Sequence, residues 1–113
     1  MPPASALRQY QQQAVLNASP AELVDKLYAI GVAAAHAGDA ARTRRALVEL
    51  SAALDHDRGG DVAASLGALY DWGIRATTEG DLGPVAEVLD GLRDAWRRAA
   101  LAPDAPAPEP AAA

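Results

Sequence analysis

Apolar side chains recur along this chain at intervals of three and four residues and nowhere alternate strictly with polar ones, a pattern that predicts helices and no sheet. Leu23, Leu27 and Ile30 fall on one side of a helix predicted from Pro20 to Ala37. Val24, Tyr28 and Val32 widen its apolar arc to roughly half the circumference at about 100° per residue. Such an arc belongs to a helix at the centre of a bundle, or to one that keeps part of its surface for a partner. A second helix, over Val62 to Thr78, carries Val62, Leu66, Leu69, Tyr70, Gly73 and Ile74 on one stripe, and the last helix carries Val85, Val88, Leu89, Leu92 and Trp96.

Punctuation between these stripes sets the architecture. Ser19-Pro20-Ala21-Glu22 reads as a capping box with proline at the first helical position, so a helix starts there. Gly38-Asp39, Gly59-Gly60-Asp61 and Gly80-Asp81 repeat one device about every twenty residues: a glycine that accepts the left-handed conformation ends a helix, and an aspartate caps the next. The expected fold is all-α, an antiparallel up-down bundle of four main helices over residues 19–101. Within residues 1–18, Ala6 to Leu16 would form a short helix with Leu7, Tyr10 and Ala14 on one side. At about three turns it is marginal alone and must dock on something. Residues 102–113 are rich in proline and alanine without a large apolar side chain, so they are expected to be an extended, disordered spacer.

Composition narrows the chemistry. The 113 residues suffice for one core, half are apolar, and about a quarter are alanine with only two Trp and three Tyr. A few large side chains must therefore pack among methyl groups, which favours closely spaced helices. A net charge of -5 with dispersed arginines argues against a nucleic-acid module, the reading that Arg42, Arg44, Arg45 or Arg97-Arg98 would have to carry. Cysteine is absent, which fits a reducing compartment. No apolar run reaches the roughly 18 residues of a membrane span, and the N-terminus does not read as a secretory leader, so a cytoplasmic protein is expected.

Catalytic and metal chemistry find no motif. His36 and His56 are each placed in the last turn of a helix, far apart and without a ligand spacing, so no metal is expected. Each Gly-Asp separates two helices and cradles no phosphate. No cofactor is expected, nor is an enzyme. Trp72 is the outlier among the aromatics: helical geometry sets it about 110° from the centre of its core stripe, beside Ser65, Ala68 and Ala76. A ring over an alanine-lined surface suits a partner helix as an anchor, or covers a neighbouring helix. Tyr28 and Tyr70 are expected in the core with hydroxyls reaching water or a backbone carbonyl, and Trp96 is expected to be structural.

Six fragments in order carry a resemblance to a known family. They are Tyr10-Gln11, Ala18-Ser19-Pro20-Ala21-Glu22-Leu23 running into Leu27-Tyr28, Leu50 to Leu54-Asp55, Gly59-Gly60-Asp61-Val62-Ala63, Leu69-Tyr70-Asp71-Trp72, and Leu92-Arg93-Asp94-Ala95-Trp96. With them the chain resembles the flagellin-specific flagellar secretion chaperones. The resemblance implies a cytosolic helical bundle that binds the C-terminal segment of flagellin, prevents its premature polymerisation and aids delivery to the export apparatus. It implies a partner surface drawing on Leu7, Tyr10, Leu23, Leu27, Leu50, Leu54, Leu69 and Tyr70, to which the helical geometry of Trp72 adds a candidate anchor. The N-terminal segment with Tyr10 would lie over that surface in the free protein, which would be a monomer or weak dimer. The chain is shorter than the family pattern by about four helical turns before Gly59 and about two after Tyr70, both losses falling at hairpins at one end of the bundle. A helical regulator of the flagellar system with a different protein partner is the alternative reading.

Overall fold

A computed structural model describes residues 19–101, and the expected N-terminal docking segment and C-terminal spacer lie outside them. Four helices follow one another: α1 (Pro20–His36), α2 (Ala40–Ala52), α3 (His56–Glu79) and α4 (Gly83–Trp96), the last running into a π-helical turn (Arg97–Leu101). No strand occurs among the described residues. The helices pack as a bundle in which α1 lies against both α2 and α4 while α3 lies against α2. The consecutive helices α3 and α4 approach each other less closely along their backbones than the other neighbouring pairs, though Tyr70 shares a core with Val85 and Leu89.

Local chemistry sets most of the ends. Ser19 Oγ accepts from the Glu22 amide at 3.2 Å and Pro20 opens α1 with its φ already helical. Asp39 caps α2 through the Arg42 amide at 3.1 Å, after Gly38 has turned the chain at φ 73°. Gly80 ends α3 in the left-handed conformation, φ 87°. Ala35, Ala40, Leu82 and Ala86 pack together beside these two turns, placing both hairpins at one end of the bundle.

The middle connection departs from expectation. The break falls before Gly59-Gly60-Asp61: α2 stops at Ala52, and Asp55 caps α3 by accepting from the Arg58 amide at 3.2 Å. Gly60, at φ 50° and ψ -126°, is a kink inside α3. Two changes result. His56 opens a helix instead of closing one, and Val62, expected on the core stripe, is 58% exposed while Ala63 next to it is fully buried. The kink resets the rotation of the helix, so the stripe read from its later turns does not extend back to Val62. Asp81 also shifts its role: it accepts from the Gly83 amide at 3.3 Å, and Leu82 occupies the cap position of α4 without a side-chain bond.

The core comprises Val24 and Tyr28 of α1, Leu47 and Leu50 of α2, Tyr70 of α3, and Val85, Leu89 and Trp96 of α4. Two glycines let these side chains close up. A Cβ on Gly31 would stand 2.9 Å from Leu89 Cδ1, and one on Gly73 would stand 2.9 Å from Leu47 Cδ1, so α1 and α3 each lend bare backbone to a leucine from a neighbouring helix. Polar ties join the same helices. The Trp96 indole donates to the Ala21 carbonyl at 2.8 Å, Arg44 Nε donates to Thr77 Oγ1 at 2.9 Å, and Arg93 Nε donates to Asp25 Oδ1 at 3.0 Å, with Arg97 Nε 3.8 Å from the same carboxylate.

Asp25 thus links α1 to α4 across 68 residues of sequence and is only 16% exposed. Asp25→Ala is expected to lower stability by about 1 to 2 kcal/mol, less than a fully buried charged hydrogen bond because the Arg93 side chain is near one-third exposed. Urea titrations at low and high salt check this. A change within the error of the midpoint at both would assign the pair no net role.

Candidate functional site

The ambiguity in the α1 arc is resolved by its neighbours. Val24, Tyr28, Gly31 and Ala35 face inward, because Leu89 and Ala46 meet the helix at Gly31. The edge carrying Leu23, Leu27 and Ile30 is left half covered, and Ile30 is 39% exposed. Pro20, Leu23, Leu27, Ile30, Ala33 and Ala37 therefore form a stripe at steps of three and four along α1, with the buried Ala34 beneath it. Two hollows lie along it. The first, about 450 Å³, is lined by Pro20, Leu23, Val24 and Leu27 of α1 and by Glu49, Ala52 and Ala53 at the end of α2. The second, about 430 Å³, is lined by Ala29, Ile30, Ala33, Ala34 and Ala37 with Asp39 and Arg42 from the start of α2. The two hollows share no lining residue but follow one another along the α1–α2 groove, with Glu49 at the first and Asp39 and Arg42 at the second.

Other candidate residues are distributed differently. Leu50 and Tyr70 are 2% and 1% exposed, so they support the surface from inside the core. Leu27, Leu54 and Trp72 are partly buried and pack on that core. Leu54 also approaches Gly67, whose Cβ would lie 3.5 Å from Leu54 Cδ1, so it closes the α2–α3 connection over α3. Leu69 is half-buried on α3. Leu7 and Tyr10 lie outside the described residues. Of the nine, Leu23 and Leu27 are the two that line the α1–α2 groove.

Sequence reasoning missed the alanines that form the groove walls, Ala29, Ala33, Ala37, Ala52 and Ala53, because alanine carries no distinctive signal beyond its helix propensity. It also gave the Tyr28 and Tyr70 hydroxyls water or a backbone carbonyl as partners. They bond to each other instead, O to O at 2.5 Å, with the rings tilted by 55° and their centroids 6.5 Å apart. Burial raises both phenols above the ordinary tyrosine range, and the bond to Tyr28 raises Tyr70 further.

A smaller groove, about 210 Å³, lies between α3 and α4, with Tyr28 joining residues of both helices and of the π-helical turn. Among the described residues no group of three or more His, Cys, Asp or Glu is arranged to hold a metal ion, and no helix is long and apolar enough to cross a membrane.

The profile of the flagellar protein FliS family matches residues 34–103, and the chain belongs to that family. The family is one of flagellar export chaperones, not of enzymes. The matched span takes in the landmarks from Leu50 to Trp96, while those from Tyr10 to Tyr28 precede it. No curated protein and no solved structure matches the chain significantly.

Proposed function

We propose that the protein is a cytoplasmic chaperone that holds the C-terminal segment of flagellin, keeps it from polymerising early and helps deliver it to the flagellar export apparatus. Membership of the FliS family supports the class of client. The observation that carries the site is the α1–α2 groove, where Leu23 and Leu27 stand half-covered above alanine walls. An amphipathic helix laid along it with apolar residues at every third or fourth place would complete the core arc of α1. The two hollows are spread along α1, itself about 25 Å long at 1.5 Å per residue, which suits a segment of four to five turns that would bridge them. A client that folds as it binds gives up several kcal/mol of conformational entropy, so a long apolar track is needed and no reactive group is.

The test is titration calorimetry of the full chain with the C-terminal segment of flagellin. One-to-one binding with a negative heat-capacity change is expected, and Leu27→Asp should weaken it at least tenfold, about 1.4 kcal/mol, with unchanged helicity by circular dichroism. Unchanged affinity in that variant would move the client off this groove. No binding to the unaltered protein would favour the regulator reading, in which the same bundle serves another partner.

A further inference from the structure

The α1–α2 groove is apolar along its floor but not uniform in charge along its length. Glu49 stands at the first hollow, beside Pro20 and Leu23, and Arg42 stands at the second, beside Ala33 and Ala37. Both are exposed, and neither forms an ion pair among the described residues. Glu22, in the first turn of α1, adds a second acid at the Glu49 end. Toward the other end the sign changes. Arg45, one turn after Arg42, and Lys26, one turn before Ile30, are exposed and likewise without an ion pair among the described residues. Asp39 is the one carboxylate at the second hollow, and it is engaged at the turn, where it accepts from the Arg42 amide. The helix ends add little, because α1 and α2 form a hairpin and the positive terminus of each lies beside the negative terminus of the other. Side-chain charge therefore sets the polarity of the groove.

Arg42 and Glu49 are seven residues apart, two turns on one face of α2 and about 10.5 Å at 1.5 Å per residue. A helix lying in the groove meets them with two of its own side chains at the same spacing. Ion pairs at the rim of an interface add little affinity, but like charges set opposite each other are penalised, so two groove charges of opposite sign select direction and register. The apolar floor cannot do this alone, since leucines at every third or fourth place read the same from either end. A helix is also more stable with its acids toward the N-terminus and its bases toward the C-terminus. Laid in this groove, such a helix puts its N-terminal half at Arg42.

We propose that the α1–α2 groove reads the polarity of its occupant: it takes an amphipathic client helix that runs antiparallel to α1 and parallel to α2, with an acidic side chain against Arg42 and a basic one, seven residues later, against Glu49. This rests on the groove being the client path and adds the direction in which the client lies and the charges it must carry.

A synthetic amphipathic peptide of four to five turns tests this, with leucine at every third or fourth place, an aspartate, a lysine seven residues later and a nitroxide at its N-terminus. Bound to the full chain at low salt, the nitroxide should broaden the amide NMR signals of Ala37 and Arg42 and leave those of Leu23 and Ala53 sharp. In the Arg42→Glu/Glu49→Arg variant the pattern should reverse. Arg42→Glu alone should weaken the peptide by about threefold to tenfold at low salt and by less at high salt, with helicity unchanged because the site is exposed. An unreversed pattern in the double variant, equal broadening at both ends, or no broadening along α1 and α2 would overturn the proposal. Titrating the C-terminal segment of flagellin into the same proteins separates this from the client assignment. Intact flagellin binding beside any of those results removes the polarity alone, whereas a reversing peptide without flagellin binding keeps the polarity and removes the client.

Discussion

Replacing Leu47 by alanine is expected to destabilise the bundle by about 4 kcal/mol, toward the top of the range of about 2 to 5 kcal/mol for buried leucines. The position of that value comes from what faces the side chain. Leu47 is 2% exposed and packs on Gly73, where a Cβ would stand 2.9 Å and 3.4 Å from its two terminal methyls. Gly73 itself has no side chain to swing into the space, so the cavity is expected to stay largely open. For a domain whose total stability is about 5 to 15 kcal/mol, such a loss brings the folded state close to its limit. Gly73→Ala alone should also destabilise, because its methyl meets Leu47 in a closed core. In the Leu47→Ala background the same methyl enters vacated space, and alanine favours helix over glycine by about 1 kcal/mol. The double variant should thus be more stable than Leu47→Ala. Urea unfolding of the four proteins checks this: additive losses would mean that the two sites are not coupled by contact.

The features legible in the sequence were those set by neighbours within four residues. Ser19 and Asp39 cap helices because their side chains meet an amide three residues on, and Gly38 and Gly80 adopt positive φ as their turns require. The Gly59-Gly60-Asp61 signal was real chemistry in the wrong role. Asp55 stands nearer the end of α2 and takes the capping position first, which leaves Gly60 to bend α3 instead of ending it. Val62 was misplaced for the same reason. On α1 the sequence correctly showed too much apolar arc for one interface, but which edge faces inward depends on Leu89 reaching bare backbone at Gly31, 58 positions earlier, and no local pattern encodes that. The candidate groove was half legible: Leu23 and Leu27 stood out as large apolar residues, whereas the alanines beside them become walls only when α2 is laid alongside.

Removing one hydroxyl of the Tyr28–Tyr70 pair is expected to be worse than removing both. The two oxygens lie 2.5 Å apart inside the core, and among the described residues no buried side-chain polar atom lacks a partner. Tyr28→Phe strands the Tyr70 hydroxyl, and Tyr70→Phe strands that of Tyr28. Each single change should lose about 2 kcal/mol, the desolvation penalty of an unpaired buried group, while the double phenylalanine variant should lie closer to the unaltered protein. The same pair gives the bundle an alkaline weakness. Burial raises both phenols above the value of about 10 that tyrosine has in an unfolded chain. Above about pH 10 the unfolded state has released protons that the native state still holds, so the stabilisation from the neutral pair is complete below that pH and declines as pH rises beyond it. Urea midpoints measured from pH 8 to 11 should fall steeply at the upper end for the unaltered protein and less steeply for the double variant. Equal slopes would mean that other groups govern the alkaline limb. Single losses that add up in the double variant would mean that the hydroxyls do not depend on each other, contrary to the contact that joins α1 to α3.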